Sequence, residues 1–229
     1  MIWILFFGTL AISLIASARV KGAYHRFSRV PASSGLTGAQ AAQEILSRSG
    51  IADVSVVPVD GVLADHYDPL HKRLVLSTDN YSGRSVAALG VAAHETGHAI
   101  QHAHGYGPLK LRMAAIGMTT FASQIVMWLP LLFMFTQIIS TYTGLMLMAV
   151  GWGIIMAFNL VTLPVEFDAS GRAKQMLLQL RMVAPGAEAS GVNTVLNAAA
   201  WTYVAAFLTS LAYFLWYLLP LLGGQRRSD

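Results

Sequence analysis

Apolar and charged positions are sorted into blocks along this chain. Residues 2–18 carry no charge, residues 113–165 carry none, and none falls between Glu188 and Arg226. The first run is short for a membrane span, and Arg19, Lys21, Arg26 and Arg29 follow it. Positive charge after the run, with none before it, predicts an uncleaved anchor over 1–18 and argues against a cleaved signal peptide. At about 1.5 Å per residue, the run 113–165 makes roughly 80 Å of helix, enough to cross a core about 30 Å thick twice. Ser140-Thr141-Tyr142-Thr143-Gly144 is the natural turn, so 113–163 reads as a transmembrane hairpin, with Pro130 expected to kink its first helix. Pro164 and Pro185-Gly186 read as start and stop of a polar helix within 164–200. Residues 201–222 are long enough for a last span.

Residues 24–112 follow another pattern. Thr37 and Gln40 form a capping box ahead of Ala41, Ala42, Ile45 and Leu46 at helical spacing, and Gly50 ends that helix. Val54–Val59 and Val62–Tyr67 are rich in strand formers and flank Asp60-Gly61, a hairpin signal. Arg73–Ser77 predicts a third strand. A small antiparallel sheet is therefore expected, either to hold an extended peptide on its edge or only to cover the next helix. That helix runs from Val86 to about His104, with Ser85 as its N-cap and Gly105 and Gly107-Pro108 at its end.

Of 229 residues, 55% are hydrophobic and 11% charged, against roughly 25% charged in soluble domains. Together with the block pattern, this predicts a mainly α integral membrane protein with about four transmembrane helices and a small α+β soluble part. The chain has no cysteine, which excludes disulfides, thiolate metal sites and a cysteine nucleophile. The net charge of +4 comes from basic residues beside apolar runs, without a basic stripe interleaved with stacking aromatics. The partner is then the bilayer and not nucleic acid. Arg19, Lys21, Arg26, Arg29, Lys110, Arg112, Arg172, Lys174 and Arg181 fall on one side of the expected membrane, which predicts that this side is cytoplasmic. Arg226 and Arg227 fall on the other side if the last run crosses once, so a re-entrant last run stays open.

Chemistry enters through His94-Glu95-Thr96-Gly97-His98. On a helix the two histidines lie one turn apart on one face and can reach one zinc ion, while Glu95 stands beside them as a general base. The alternative is a helix with two satisfied core histidines. A catalytic zinc usually takes three protein ligands and keeps one position for water. His102 lies eight residues beyond His94, about 12 Å along the axis, too far to share the ion. His104 sits where the pattern H-E-x-x-H-x-x-G-x-x-H needs a ligand, but Gln101 occupies the turning glycine's place. Glu166, where an apolar run ends, needs a partner for its charge, and zinc or Arg172 could supply it. Asp168 would orient a ligand or face solvent. Glu95 would take a proton from activated water and hand it to the leaving amine. Tyr203, His66 and Arg172 are candidates for steadying the oxyanion.

The run from Val91 to Gln101, the segments Asp65-His66-Tyr67-Asp68-Pro69 and Leu163-Pro164-Val165-Glu166-Phe167-Asp168-Ala169-Ser170, and the later Leu196–Ala200 and Thr202–Ala206 resemble the bacterial neutral zinc metallopeptidases of the YugP type. The resemblance covers about residues 24 to 208. It implies a membrane-bound zinc endopeptidase with a zincin-like soluble part, distantly similar to the membrane gluzincins that include HtpX. By that likeness His94, His98 and Glu166 hold Zn²⁺ and Glu95 is the base. Related gluzincins often carry an acid four residues after the ligand glutamate, where this chain has Ser170. The expected enzyme is a bacterial, multi-pass membrane hydrolase whose site faces the cytoplasm and whose substrates are membrane or unfolded proteins. Two rivals remain: a non-catalytic membrane scaffold with a structural metal or salt bridge, and a metal-dependent hydrolase of non-peptide substrates.

Overall fold

The computed structural model describes residues 2–61, 64–136 and 139–224. The chain is mainly helical. Its elements in order are α1 (Ile2–Phe27), α2 (Gly38–Arg48), β1 (Ser55–Val59), β2 (His66–Asp68), β3 (Arg73–Ser77), α3 (Thr78–Tyr81), α4 (Val86–Ala103), α5 (Gly107–Thr136), α6 (Thr141–Gln179) and α7 (Ala187–Gly224). Helices α1, α5, α6 and α7 are long and apolar enough to cross a membrane. The described residues divide into two compact units, one within residues 1–14, 111–163 and 203–229, the other within residues 15–110 and 164–202.

In the first unit, segments of α5, α6 and α7 meet where small residues allow it. A methyl added at Gly151 would stand 2.8 Å from the Val126 side chain, and one at Gly153 would stand 3.1 Å from the Phe214 ring. Trp152 stacks on Tyr213 with centroids 4.5 Å apart. Asn159 donates to the Ala206 carbonyl (3.2 Å) and to Ser210 Oγ (3.0 Å), so its amide group is satisfied within the apolar segment. Leu131, Leu132, Phe135 and Leu219 are exposed.

The second unit holds a core of another kind. Ala41, Ala42, Ile45 and Leu46 of α2, Leu74 and Leu76 of β3, Val86, Leu89, Ala92 and Ala93 of α4, and Ala173 and Leu177 of α6 are buried together. The expected capping box forms: Gln40 N–H donates to Thr37 Oγ1 (3.1 Å), and Thr37 N–H donates to Gln40 Oε1 (2.9 Å). Ser85 caps α4 by accepting from Ala88 N–H (3.1 Å). Gly105 takes φ 63° just past the helix end, a left-handed conformation that glycine adopts without a Cβ penalty.

The sheet differs from expectation. Its strand order is β1-β3-β2, with β1 and β3 parallel and β2 and β3 antiparallel. It is a mixed sheet, and among the described residues no hairpin pairing joins β1 to β2. Gly61 does turn, at φ 127°, but the strands flanking it do not pair. Val62 and Leu63 of the expected second strand lie outside the described residues. The physical reason is in β3: Leu74, Val75, Leu76 and Ser77 are all buried, the mark of a central strand. Pro58 of β1 lacks an N–H and suits an edge. Asp65 closes the end of β3 by accepting from Ser77 N–H (2.8 Å), Ser77 Oγ and Asn80 Nδ2 (2.9 Å).

The expected helix start at Pro164 is also overturned. Pro164 lies inside α6, which continues unbroken to Gln179. The proline removes the hydrogen bond to the Leu160 carbonyl, yet its neighbours on both sides remain helical. The chain leaves the helix before Pro185, through Arg181 at φ 54° and Met182 N–H bonded to the Leu177 carbonyl (2.9 Å). Likewise α7 begins at Ala187, well before 201, and Pro130 sits within α5. The basic tail of Arg226 and Arg227 lies outside the described residues.

Candidate metal centre

Helix α4 presents His94 and His98 one turn apart, with ring centroids 4.8 Å from each other and planes at 81°. Gly97, between them, lets α6 come close. A Cβ there would stand 2.7 Å from the Ala169 carbonyl oxygen and 3.1 Å from the Ala169 Cα, so no other residue fits without a shift. That backbone approach brings in Glu166, three residues before Ala169. Its Oε2 lies 3.2 Å from His94 Nε2 and 3.6 Å from His98 Nε2. One ligand atom from each of the three residues lies within 4.8 Å of the others. Their side chains are 13%, 11% and 2% exposed, respectively for His94, His98 and Glu166.

The electrostatics favour a cation. Burial by itself would depress the His98 imidazole, but the facing Glu166 carboxylate, the charge of Glu95, and Gln101 hold it above its ordinary value. A buried carboxylate facing two rings makes a place that keeps positive charge. Two imidazole nitrogens and one carboxylate oxygen are the donor set of a catalytic zinc, and bonds of about 2.0–2.2 Å in a tetrahedron separate ligands by roughly 3.3–3.5 Å. The two ring-to-carboxylate distances sit close to that span. The residues present fit the ion.

Both rings are held from behind. His98 Nδ1 meets Gln101 Oε1 at 3.0 Å, and His94 Nδ1 meets Ser170 Oγ at 3.1 Å. Ser170 stands where related gluzincins often carry an acid, and it reaches the first histidine itself. Asp168 faces Gln101 and Arg172, with Arg172 Nε donating to its Oδ2 at 2.6 Å.

Glu95 is half-buried on α4 beside His94. The other sequence candidates have surroundings of their own. His66 is exposed on β2, with Nδ1 2.8 Å from the Ala64 carbonyl. His104 is exposed and caps the end of α4. His102 Nδ1 meets the Tyr67 hydroxyl at 2.8 Å, and burial, ahead of the charges of Asp53 and Asp68, pushes the Tyr67 hydroxyl up to about 12. Arg172 is committed to Asp168. Tyr203 is half-buried on α7, in the first unit.

Sequence reasoning missed the roles of Gln101 and Ser170. It treated Gln101 only as an obstacle to a turn. The available signal was its spacing: three residues after His98 on one helix puts it on the same face.

Comparison with known proteins gives a consistent result. The model of a family described as "Putative neutral zinc metallopeptidase" matches residues 2–222. A protein of Bacillus subtilis (strain 168) named "Putative membrane protease YugP" is 44% identical over 221 residues, which cover 94% of this chain and 94% of that protein. No solved structure matches the chain.

Proposed function

The chain belongs to this family of neutral zinc metallopeptidases, and on that premise we propose that it is a membrane-bound endopeptidase of the gluzincin type. Zn²⁺ is the cofactor that membership implies. His94, His98 and Glu166 are its proposed ligands. The observation that carries the reading is their convergence, three ligand atoms within 4.8 Å of one another in a buried place.

Bound there, zinc would lower the pKa of water toward about 7 and polarise a carbonyl. The rest falls to side chains. Glu95, next to the first ligand and open enough to meet solvent, accepts a proton from water and passes it to the leaving nitrogen. Gln101 and Ser170 hold the two rings in place. Tyr203 and His66 are proposed to steady the developing oxyanion, and Tyr203→Phe and His66→Ala are each expected to lower kcat more than they raise KM. The basic residues between the apolar runs favour a cytoplasmic site. Membrane or unfolded proteins are the proposed substrates.

The deciding experiment measures zinc content beside casein cleavage in detergent for the wild type, Glu95→Gln and Glu166→Ala. Glu95→Gln is expected to keep zinc and lose cleavage; Glu166→Ala is expected to lose both. A zinc-free wild type would sink the reading and favour a scaffold. Full zinc and full activity in Glu166→Ala would move the third ligand elsewhere, with His104 the next residue to change. Cleavage of short soluble peptides but of neither membrane nor unfolded proteins would overturn the substrate class.

A further inference from the structure

We propose that Gln101 fixes the tautomer of His98, and so turns that ring's Nε2 lone pair toward the metal place. Gln101 is a positioning residue in this account, and the inference rests on the ligand set proposed above.

Gln101 is fully buried. Its Nε2 lies 2.8 Å from the Val165 carbonyl oxygen and 2.8 Å from Asp168 Oδ2. A peptide carbonyl only accepts, and so does a carboxylate, here one that also receives Arg172 Nε at 2.6 Å. An amide atom facing two pure acceptors must be the NH₂. With the amide turned over, an oxygen would stand 2.8 Å from two other oxygens with no hydrogen between them. The orientation of this amide is therefore decided by its surroundings, where the positions of N and O alone would leave it open.

The consequence reaches the histidine. Gln101 Oε1 faces His98 Nδ1 at 3.0 Å and can only accept. Nδ1 must carry the hydrogen. In a neutral imidazole this leaves the lone pair on Nε2, the atom 3.6 Å from Glu166 Oε2. Arg172, Asp168, Gln101 and His98 make one directed chain across α4 and α6, each member's polarity set by its neighbour. His94 has no such instruction. Its Nδ1 faces the Ser170 hydroxyl, which donates or accepts equally well.

The test uses the full chain in detergent with ¹⁵N-labelled histidine rings. Long-range ¹H–¹⁵N spectra of the metal-free protein, recorded at a pH high enough to leave the ring neutral, report which nitrogen of His98 is protonated. Chelator competition reports Zn²⁺ affinity. Wild type is expected to show His98 protonated at Nδ1. Gln101→Met keeps the length of the side chain and removes both polar atoms. It is expected to give a tautomer mixture at His98 and to weaken Zn²⁺ binding by about ten- to hundredfold. Ser170→Ala is expected to leave the His98 spectrum unchanged. Should Gln101→Met fail to fold, Asp168→Asn gives the same reading with no carbon removed, through a smaller shift toward the mixture. A neutral wild-type His98 protonated at Nε2 and not at Nδ1 overturns the proposal, as does a folded Gln101→Met with unchanged tautomer and unchanged affinity. If wild type binds no Zn²⁺, the ligand reading fails, and the metal-free spectrum still decides whether Gln101 sets the ring.

Discussion

Leu74 and Leu132 are the same residue type in two different media. Leu74, in the unit of residues 15–110 and 164–202, is 0% exposed. Leu132, in the other unit, is 47% exposed. Leu76 and Leu89 repeat the first case, Phe135 and Leu219 the second. One unit turns its apolar groups inward and holds its site by hydrogen bonds. The other turns them out, as lipid allows. The difference teaches where sequence change is tolerated. Neighbours dictate each side chain around the metal place, whereas the surrounding solvent dictates the outer faces of the apolar helices.

The largest expected effect falls on the first kind of position. Glu166→Ala should reduce bound zinc below about a tenth of the wild-type value and abolish cleavage, because a catalytic zinc usually keeps three protein ligands. Atomic absorption beside a casein assay reads both. Glu95→Gln comes next: cleavage should fall by about 10²–10⁴-fold with zinc retained. A matched pair then tests the contrast itself. Leu74→Ala should cost about 2–5 kcal/mol, and Leu132→Ala no more than about 0.5 kcal/mol, read as detergent-state unfolding. Equal costs would break the comparison. Two glycines make a second matched pair. Gly97→Ala should destabilise by about 1–3 kcal/mol, since its methyl would stand 2.7 Å from the Ala169 carbonyl. Gly171→Ala has nothing within 4 Å and should be neutral or stabilise by about 0.5–1 kcal/mol, read as a change in Tm.

How much of this was legible in advance depends on the range of the physics involved. The capping box at Thr37 and Gln40, the Ser85 cap and the extent of α4 are local, and the sequence declares them. The four apolar helices are legible from composition alone. The sheet order was not. Asp60-Gly61 signals a turn, but only the all-apolar character of Leu74, Val75 and Leu76 hints that β3 belongs in the middle. Pro164 misled because proline's cost to a helix is real but finite, and here the helix continues through it. At the site, His94, His98 and Glu166 could be picked out by residue type and position. Gln101 was legible only in part: its spacing from His98 is local, but the acceptors that orient it come from α6, 64 and 67 residues further along.

Synthesis runs from the N-terminus, so the ribosome makes His94 and His98 well before Glu166, which follows His98 by 68 residues. At about 5–20 residues per second, that interval lasts roughly 3–14 s. The intervening chain is almost wholly the uncharged run 113–165, which is synthesised before the part of α6 that bears Glu166. On the proposed ligand set, a nascent chain stalled before that step carries both histidines and the proposed base, and the site closes only when Glu166 arrives.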